Sequence, residues 1–345
     1  WRVVDACGNV SISDSVQTIT VLDTIRPTFT APANTIIYTD ANCEYNADTT
    51  VTGSVTNKSD NCSTNLTVTY RDAEVDGNCE GTKVITRTWR VVDACGNRAA
   101  DQVQTITVSD TTRPTFTRPA DITIYTDADC NYDASVSVTG DVTDEKDNCS
   151  TGINAIYSDV VADGDCAGKK TITRTWSLVD ACGNAAADQV QTITVLDTTA
   201  PIITCNENLT TTTDNRKPYA TVSLPNPTPV DNCSASANYI ISYSPATPTN
   251  ATATNASGQY PLGVTTVTYS VVDGCDNANS CSFTVTVRDD EDPVISCPPS
   301  LTVACETDTL PVLTTYAAFV AEGGEAMDND GINELSFRLS GYSKV

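Results

Sequence analysis

An all-β chain of tandem domains is what this sequence predicts, and three observations predict it. The nine residues Trp1-Arg-Val-Val-Asp-Ala-Cys-Gly-Asn9 recur intact at Trp89–Asn97, with two changes at Trp176–Asn184, and more loosely at Tyr269–Asn277. The steps of 88, 87 and 93 residues mean beads joined end to end, not a solenoid of roughly 20–50-residue repeats. The local signal is β: Lys83–Val92 and Gln104–Val108 are rich in β-branched and aromatic residues and bounded by Gly, Asn, Asp and Pro. Finally, no helical period of useful length appears, apart from a weak one over Tyr316–Ala326.

The elements follow in order. Residues 1–23 read as the C-terminal part of a preceding repeat. Residues 24–110, 111–197 and 198–289 are three successive repeats, and 290–345 is the N-terminal part of a following one. In the central strand Ile85, Trp89 and Val91 share a parity, so they face one core. Arg87 and Arg174 share that face with Trp89 and Trp176, where stacking is structural. About 90 residues, several short strands and one buried Trp fit an immunoglobulin-like β-sandwich. The junctions Leu22–Pro27, Ser109–Pro114, Leu196–Pro201 and Arg288–Pro293 are short and hold a Pro that fixes φ, so an extended rod is expected.

Composition narrows the function. The chain carries 44 Asp+Glu against 19 Lys+Arg, a net charge of −25. That excludes nucleic acid as a partner, because phosphate binding needs Lys and Arg, and it favours divalent cations. Histidine is absent, so imidazole catalysis and His-type zinc sites are ruled out within these residues. No run of 18 apolar residues appears, so no insertion into a membrane is expected. Fifteen cysteines in small domains imply an oxidising, extracellular compartment.

Comparing the beads suggests how the cysteines pair. The first repeat holds Cys43, Cys62, Cys79 and Cys95, and the second holds Cys130, Cys149, Cys166 and Cys182. The third keeps Cys233 and Cys275 but has Lys217 and Gln259 in place of the other two, and gains Cys205 and Cys281. Pairs that appear and vanish together suggest Cys43–Cys79, Cys62–Cys95, Cys130–Cys166, Cys149–Cys182, Cys205–Cys281 and Cys233–Cys275. Cys7 is then expected to pair upstream, and Cys297 and Cys305 downstream or, as the lesser alternative, with each other. Metal–thiolate binding competes poorly, since paired C-x-x-C spacing is missing.

Gly263-Val-Thr-Thr-Val-Thr-Tyr-Ser-Val-Val-Asp-Gly-Cys-Asp-Asn277, followed by Cys281–Val287, resembles the hyalin repeat (HYR) module, and Asp292–Pro298 resembles the start of the next. The first two repeats, with Trp-Arg-Val-Val-Asp-Ala-Cys-Gly-Asn and Gln-Thr-Ile-Thr-Val, resemble the HYR-like variant of large surface proteins of gliding bacteria. The resemblance implies an immunoglobulin-like fold, a role in adhesion and gliding motility, and export by type IX secretion. It supplies no catalytic residue. One departure stands out: in Asp328-Asn-Asp330, Asp330 occupies the place of the expected Cys.

Three kinds of candidate site emerge. If Cys43 bonds Cys79 and Cys130 bonds Cys166, two acidic loops meet in each bead, gathering Asp40, Asn42, Asp76 and Asn78, and Asp127, Asp129, Asp163 and Asp165. Such convergence suits Ca²⁺, although Asp, Asn and Gly are also ordinary turn formers. The junctions, each with an acidic residue before Pro, are similar to the calcium-stiffened linkers of cadherins, most so at Asp289, Asp290 and Asp292. Asp93 and Asn97 close a turn beside Cys95, where hydrogen bonding is favoured over metal ligation. The Asp-Thr pairs at the junctions resemble a bacterial O-glycosylation signal, which implicates Thr24, Thr111 and Thr198.

The leading functional expectation is a non-catalytic structural and adhesive stalk segment of a long secreted surface protein. Its ligand would be a polysaccharide or protein, with self-association or a membrane-anchored partner engaged through regions outside this segment. Accessory modules of a large secreted hydrolase, or a subunit of a self-assembling extracellular filament, are the alternatives.

Overall fold

A computed structural model describes residues 1–234, 238–300 and 312–338. Nearly every element is a strand, as the β-branched composition dictates. The first full bead contains β1 (Thr28–Thr30), β2 (Thr35–Tyr38), the helical turn α1 (Thr49–Thr52), β3 (Thr56–Ser59), β4 (Thr67–Asp76), β5 (Lys83–Val92) and β6 (Gln102–Ser109). The second repeats the series with β7 (Thr115–Thr117), β8 (Ile122–Tyr125), α2 (Val136–Thr139), β9 (Thr143–Lys146), β10 (Ile156–Asp163), β11 (Lys170–Ser177) and β12 (Gln189–Leu196). The third has β13 (Leu209–Thr212), β14 (Tyr219–Val222), β15 (Asn238–Ser244), β16 (Gly258–Pro261), β17 (Gly263–Val272) and β18 (Ala278–Arg288). Beyond it come β19 (Val294–Ser296), α3 (Tyr316–Ala321) and β20 (Glu325–Met327). The stretch singled out for weak helical character thus forms α3 over its first six residues.

One architecture serves all three beads. A four-stranded sheet ordered β2-β6-β5-β4, β8-β12-β11-β10 or β13-β18-β17-β15 recurs in each; the first two beads add the ribbon β1-β3 or β7-β9, while the third keeps only the Ile202–Val230 bridge there and forms a ribbon β14-β16 from other segments. β2 runs parallel to β6, whereas β4, β5 and β6 are antiparallel neighbours. Tandem β-sandwich domains are therefore present, as expected. Residues 1–121, 139–160 and 173–192 form one compact unit, and 122–138, 161–172 and 193–345 form the other.

The alternation of β5 explains its burial. Ile85, Trp89 and Val91 are almost wholly inaccessible, and so is Arg87. A buried guanidinium is tolerated only when paired and hydrogen-bonded. Arg87 donates from Nε and Nη2 to the two carboxylate oxygens of Asp72, both at 2.8 Å, and from Nη1 to Thr52 Oγ1. It lies 4.2 Å above the Tyr70 ring. Arg174 repeats this with Asp159, Thr139 and Tyr157. In the third bead the buried Val267 takes the equivalent place, and the need for an ion pair disappears.

The disulfides correct the pairing inferred from sequence. Cys43 bonds Cys149, Cys79 bonds Cys182, Cys130 bonds Cys233 and Cys166 bonds Cys275. Cys43–Cys79, Cys62–Cys95, Cys130–Cys166, Cys149–Cys182 and Cys233–Cys275 are not formed. Cys205–Cys281, the pair peculiar to the third bead, is bonded within that bead. The physical reason is placement. Cys43 and Cys79 sit in loops beside the next bead's Asp-Asn-Cys turn, and Asn148 of that turn donates to the Asp40 carbonyl at 2.8 Å. Gly81, at φ +78°, leaves the space that the sulfurs of Cys43 and Cys149 fill. Cys7, Cys62, Cys95 and Cys297 are exposed thiols. Cys305 lies outside the described residues.

Candidate metal centres at the bead junctions

Three aspartates from three separate places in the chain meet in every bead. The first is the junction residue: Asp23, Asp110 or Asp197. The second opens the Asp-Asn-Cys turn: Asp60, Asp147 or Asp231. The third follows the Trp or Tyr strand: Asp93, Asp180 or Asp273. In each trio one carboxylate oxygen from every member lies within 4.8 Å of the others. A fourth trio joins Asp289, Asp328 and Asp330.

Local turns aim these groups. Asp180 Oδ1 accepts from the backbone N–H of Cys182 and Asn184, at 2.8 and 2.7 Å, and its Oδ2 accepts from Asn184 Nδ2. The same Asn184 amide reaches the carbonyl of Asp110, tying the turn to the junction. Asp147 Oδ2 takes the N–H groups of Cys149 and Ser150. Asp110 Oδ1 takes Thr112 N–H and Thr39 Oγ1. The third bead repeats each bond with Asp273, Asn277, Asp231 and Asp197. Asp5 and Asn9 build the same turn near the N-terminus.

After these bonds, one oxygen on two members of each bead's trio has no hydrogen-bond partner: Asp23 Oδ2 and Asp60 Oδ1, Asp110 Oδ2 and Asp147 Oδ1, Asp197 Oδ2 and Asp231 Oδ1. Asp93 shows the balance of forces on the third member. Burial raises its pKa, but the Asn97 side-chain and backbone hydrogen bonds, with those of Cys95 and Gly96, outweigh that, and the net shift is downward. In the fourth trio burial pushes the Asp330 carboxyl up, with the Asp328 hydrogen bond and the nearby Asp289 charge adding to it. Asp289 is held low, chiefly by the Asn329 side chain.

Residues 196–287 match the HYR domain. This stretch covers the third bead as far as Val287, with its trio Asp197, Asp231 and Asp273. The chain is 27% identical over 275 residues to hyalin of Strongylocentrotus purpuratus, covering 73% of this chain and 21% of that protein. It is 28% identical over 338 residues to hyalin of Lytechinus variegatus, covering 96% and 59%. It thus spans less than two thirds of either relative. The human Desmocollin-1 ectodomain covers 82% of this chain at 10% identity and a TM-score of 0.22, too low to carry the argument further.

The beads place the sequence-derived candidates unevenly. Asp40, Asn42, Asp76, Asn78, Asp127, Asp129, Asp163 and Asp165 are exposed, and none belongs to a trio. Their convergence depended on Cys43–Cys79 and Cys130–Cys166, which are not formed. Asp40 and Asp127 instead accept backbone N–H groups of their own turns. Asp76, Asp163 and Asp165 pair with Lys83, Lys170 and Lys169. Of the acidic junction residues, Asp289 enters the fourth trio, while Asp290 and Asp292 are exposed and outside it. Thr24, Thr111 and Thr198 are exposed.

Sequence reasoning reached the junction aspartates and read Asp93 as a turn former. It missed Asp60, Asp147 and Asp231 altogether. The available signal was that Asp-Asn-Cys persists in the third bead, where the loops around Cys43 and Cys79 have no counterpart cysteines.

Proposed function

We propose that this chain is a load-bearing segment of a long, extracellular adhesive protein, acting through its repeated beads and not through catalysis. The observation that carries the reading is that four disulfides each join one bead to the next. A bond inside a bead strengthens that bead. A bond between beads also passes tension past the intervening fold. The HYR match and the similarity to hyalin support an extracellular adhesive role. The finer reading, a stalk of a bacterial gliding adhesin exported by type IX secretion, rests on the motifs of the first two beads, while the hyalin relatives come from sea urchins. A polysaccharide or protein surface is the ligand class proposed, and O-linked glycans on Thr24, Thr111 and Thr198 would decorate the junctions. Stretching single molecules before and after reduction tests the load-bearing role. Staples that carry load prevent most of the chain from extending until they are cut, and equal extension in both states refutes it.

A further inference from the structure

The geometry points to a hard divalent cation, Ca²⁺, bound by each of the trios Asp110–Asp147–Asp180 and Asp197–Asp231–Asp273. Two independent observations carry this. The first is the gathering of three carboxylates within 4.8 Å, no farther apart than two oxygens on opposite sides of one Ca²⁺ at about 2.4 Å each. The second is burial without partners. Asp110 and Asp197 are only 4% and 5% exposed, yet Oδ2 of each has no hydrogen bond. Buried polar atoms are almost always paired, and a buried charge needs a counter-charge or a metal. Asp180 and Asp273, the third members, are 7% exposed. No lysine or arginine forms an ion pair with any of these six aspartates among the described residues.

The donor set selects the ion. Every group on offer is oxygen. Histidine is absent, and the cysteines beside the trios, Cys149, Cys182, Cys233 and Cys275, are locked in disulfides. That excludes the nitrogen and sulfur ligands zinc prefers. The residue that follows Asp147 or Asp231 offers a further oxygen. Asn148 and Asn232 donate from Nδ2 to the carbonyls of Asp40 and Asp127, and this leaves their Oδ1 atoms buried and unpartnered. An open cleft adjoins each centre at its junction residue: Asp110 lines one of about 400 Å³ and Asp197 one of about 290 Å³. Water can complete the six to eight oxygens that Ca²⁺ takes, whereas Mg²⁺ demands a tighter octahedron. Each ion would bridge a junction residue, the Asp-Asn-Cys turn and the turn after the central strand. Those last two turns carry the cysteines stapled to the preceding bead.

Calorimetric titration and thermal unfolding of the full chain, in chelator, in Ca²⁺ and in Mg²⁺, test the assignment. The comparison variant carries Asp147→Asn and Asp231→Asn, since an asparagine oxygen can still accept the Cys149 or Cys233 N–H. Non-reduced peptide mapping confirms that its disulfides are intact. The expected result is Ca²⁺ binding by the unaltered chain, with a rise of roughly 5 °C or more in the unfolding midpoint at saturating ion. The variant should bind two fewer ions, and in chelator it should melt no lower than the parent because like charges have been removed. An unaltered chain that gives no heat and no shift with Ca²⁺ overturns the proposal, as does unchanged stoichiometry in the variant. Equal shifts from Mg²⁺ and Ca²⁺ overturn the choice of ion.

Discussion

Pull the chain from its two ends, and the covalent path decides how far it can extend. With the disulfides intact, tension reaching Cys43 crosses to Cys149, follows the backbone to Cys166 and crosses again to Cys275. Of the 232 residues between Cys43 and Cys275, this path uses only 17, so about 215 carry no load. A fully extended chain spans about 3.5 Å per residue, so the bypassed segment hides about 750 Å of length. The assay is force–extension on single molecules unfolded at high force, first oxidised and then in reductant. The expected outcome is a gain of about 750 Å in final contour length on reduction. The competing pairing, with each bead closing its own bonds, sends tension out through Cys205–Cys281, bypasses only about 148 residues and predicts a gain of only about 520 Å. A measured gain near that smaller value would refute the staple from bead to bead.

Three further outcomes follow from single residues. Asp72→Ala strands the buried Arg87 guanidinium, and breaking such a pair costs about 3 kcal/mol, the low end of the usual range because the Asp72 side chain is 25% exposed. Urea unfolding of the oxidised chain reads this as an earlier transition for the first bead, and Asp159→Ala should match it in the second. Gly81→Ala places a Cβ 2.5 Å from Cys149 Sγ and 2.6 Å from Cys43 Sγ, at a φ of +78° that alanine disfavours. Peptide mapping should find Cys43–Cys149 largely absent in that variant while Cys130–Cys233 persists, and full formation of both bonds would count against the arrangement. Acid should destabilise the fold. The folded pKa of Asp48 is lowered by backbone and side-chain hydrogen bonds from Thr50, that of Asp121 by the Thr192 backbone N–H and by Arg118, and that of Asp214 by side-chain and backbone hydrogen bonds from Thr221. Their contribution is present above the ordinary value of 3.8 and is lost as pH falls through the lowered folded values. Melting temperatures measured downward from pH 5 should therefore decline most steeply below about pH 4.

The fold was readable because it rests on local rules. Alternation in Lys83–Val92 places Ile85, Trp89 and Val91 on one face, and the repeat of the whole motif sets the bead length. Even Arg87 could be put beside Trp89 from parity alone. What sequence could not supply was Asp72 as its partner, because pairing between β4 and β5 depends on a register fixed only when the strands meet. The metal centres were half legible for the same reason. Asp110 was visible as a junction residue and Asp180 as a turn former. Their meeting with Asp147 requires three segments that local pattern does not connect.

The disulfides failed for a subtler reason, and the same sequence contains the repair. Cysteines that come and go together were assumed to share a bead. The structure shows that the partner of a Cys43-type residue is the Asp-Asn-Cys residue of the following bead, as in Cys43–Cys149 and Cys130–Cys233. Applied once more, that offset explains a residue that had looked anomalous. The third bead has Lys217 where a Cys43-type residue would stand, so the next bead's Asp-Asn-Cys turn has no sulfur to meet. At that position the chain carries Asp330 instead of cysteine, and Asp330 joins Asp289 and Asp328 in the fourth carboxylate trio. Where the covalent staple ends, a third carboxylate takes the place of the thiol. The covariation was real, but it ran between neighbouring beads, and a comparison confined to single beads could not detect it.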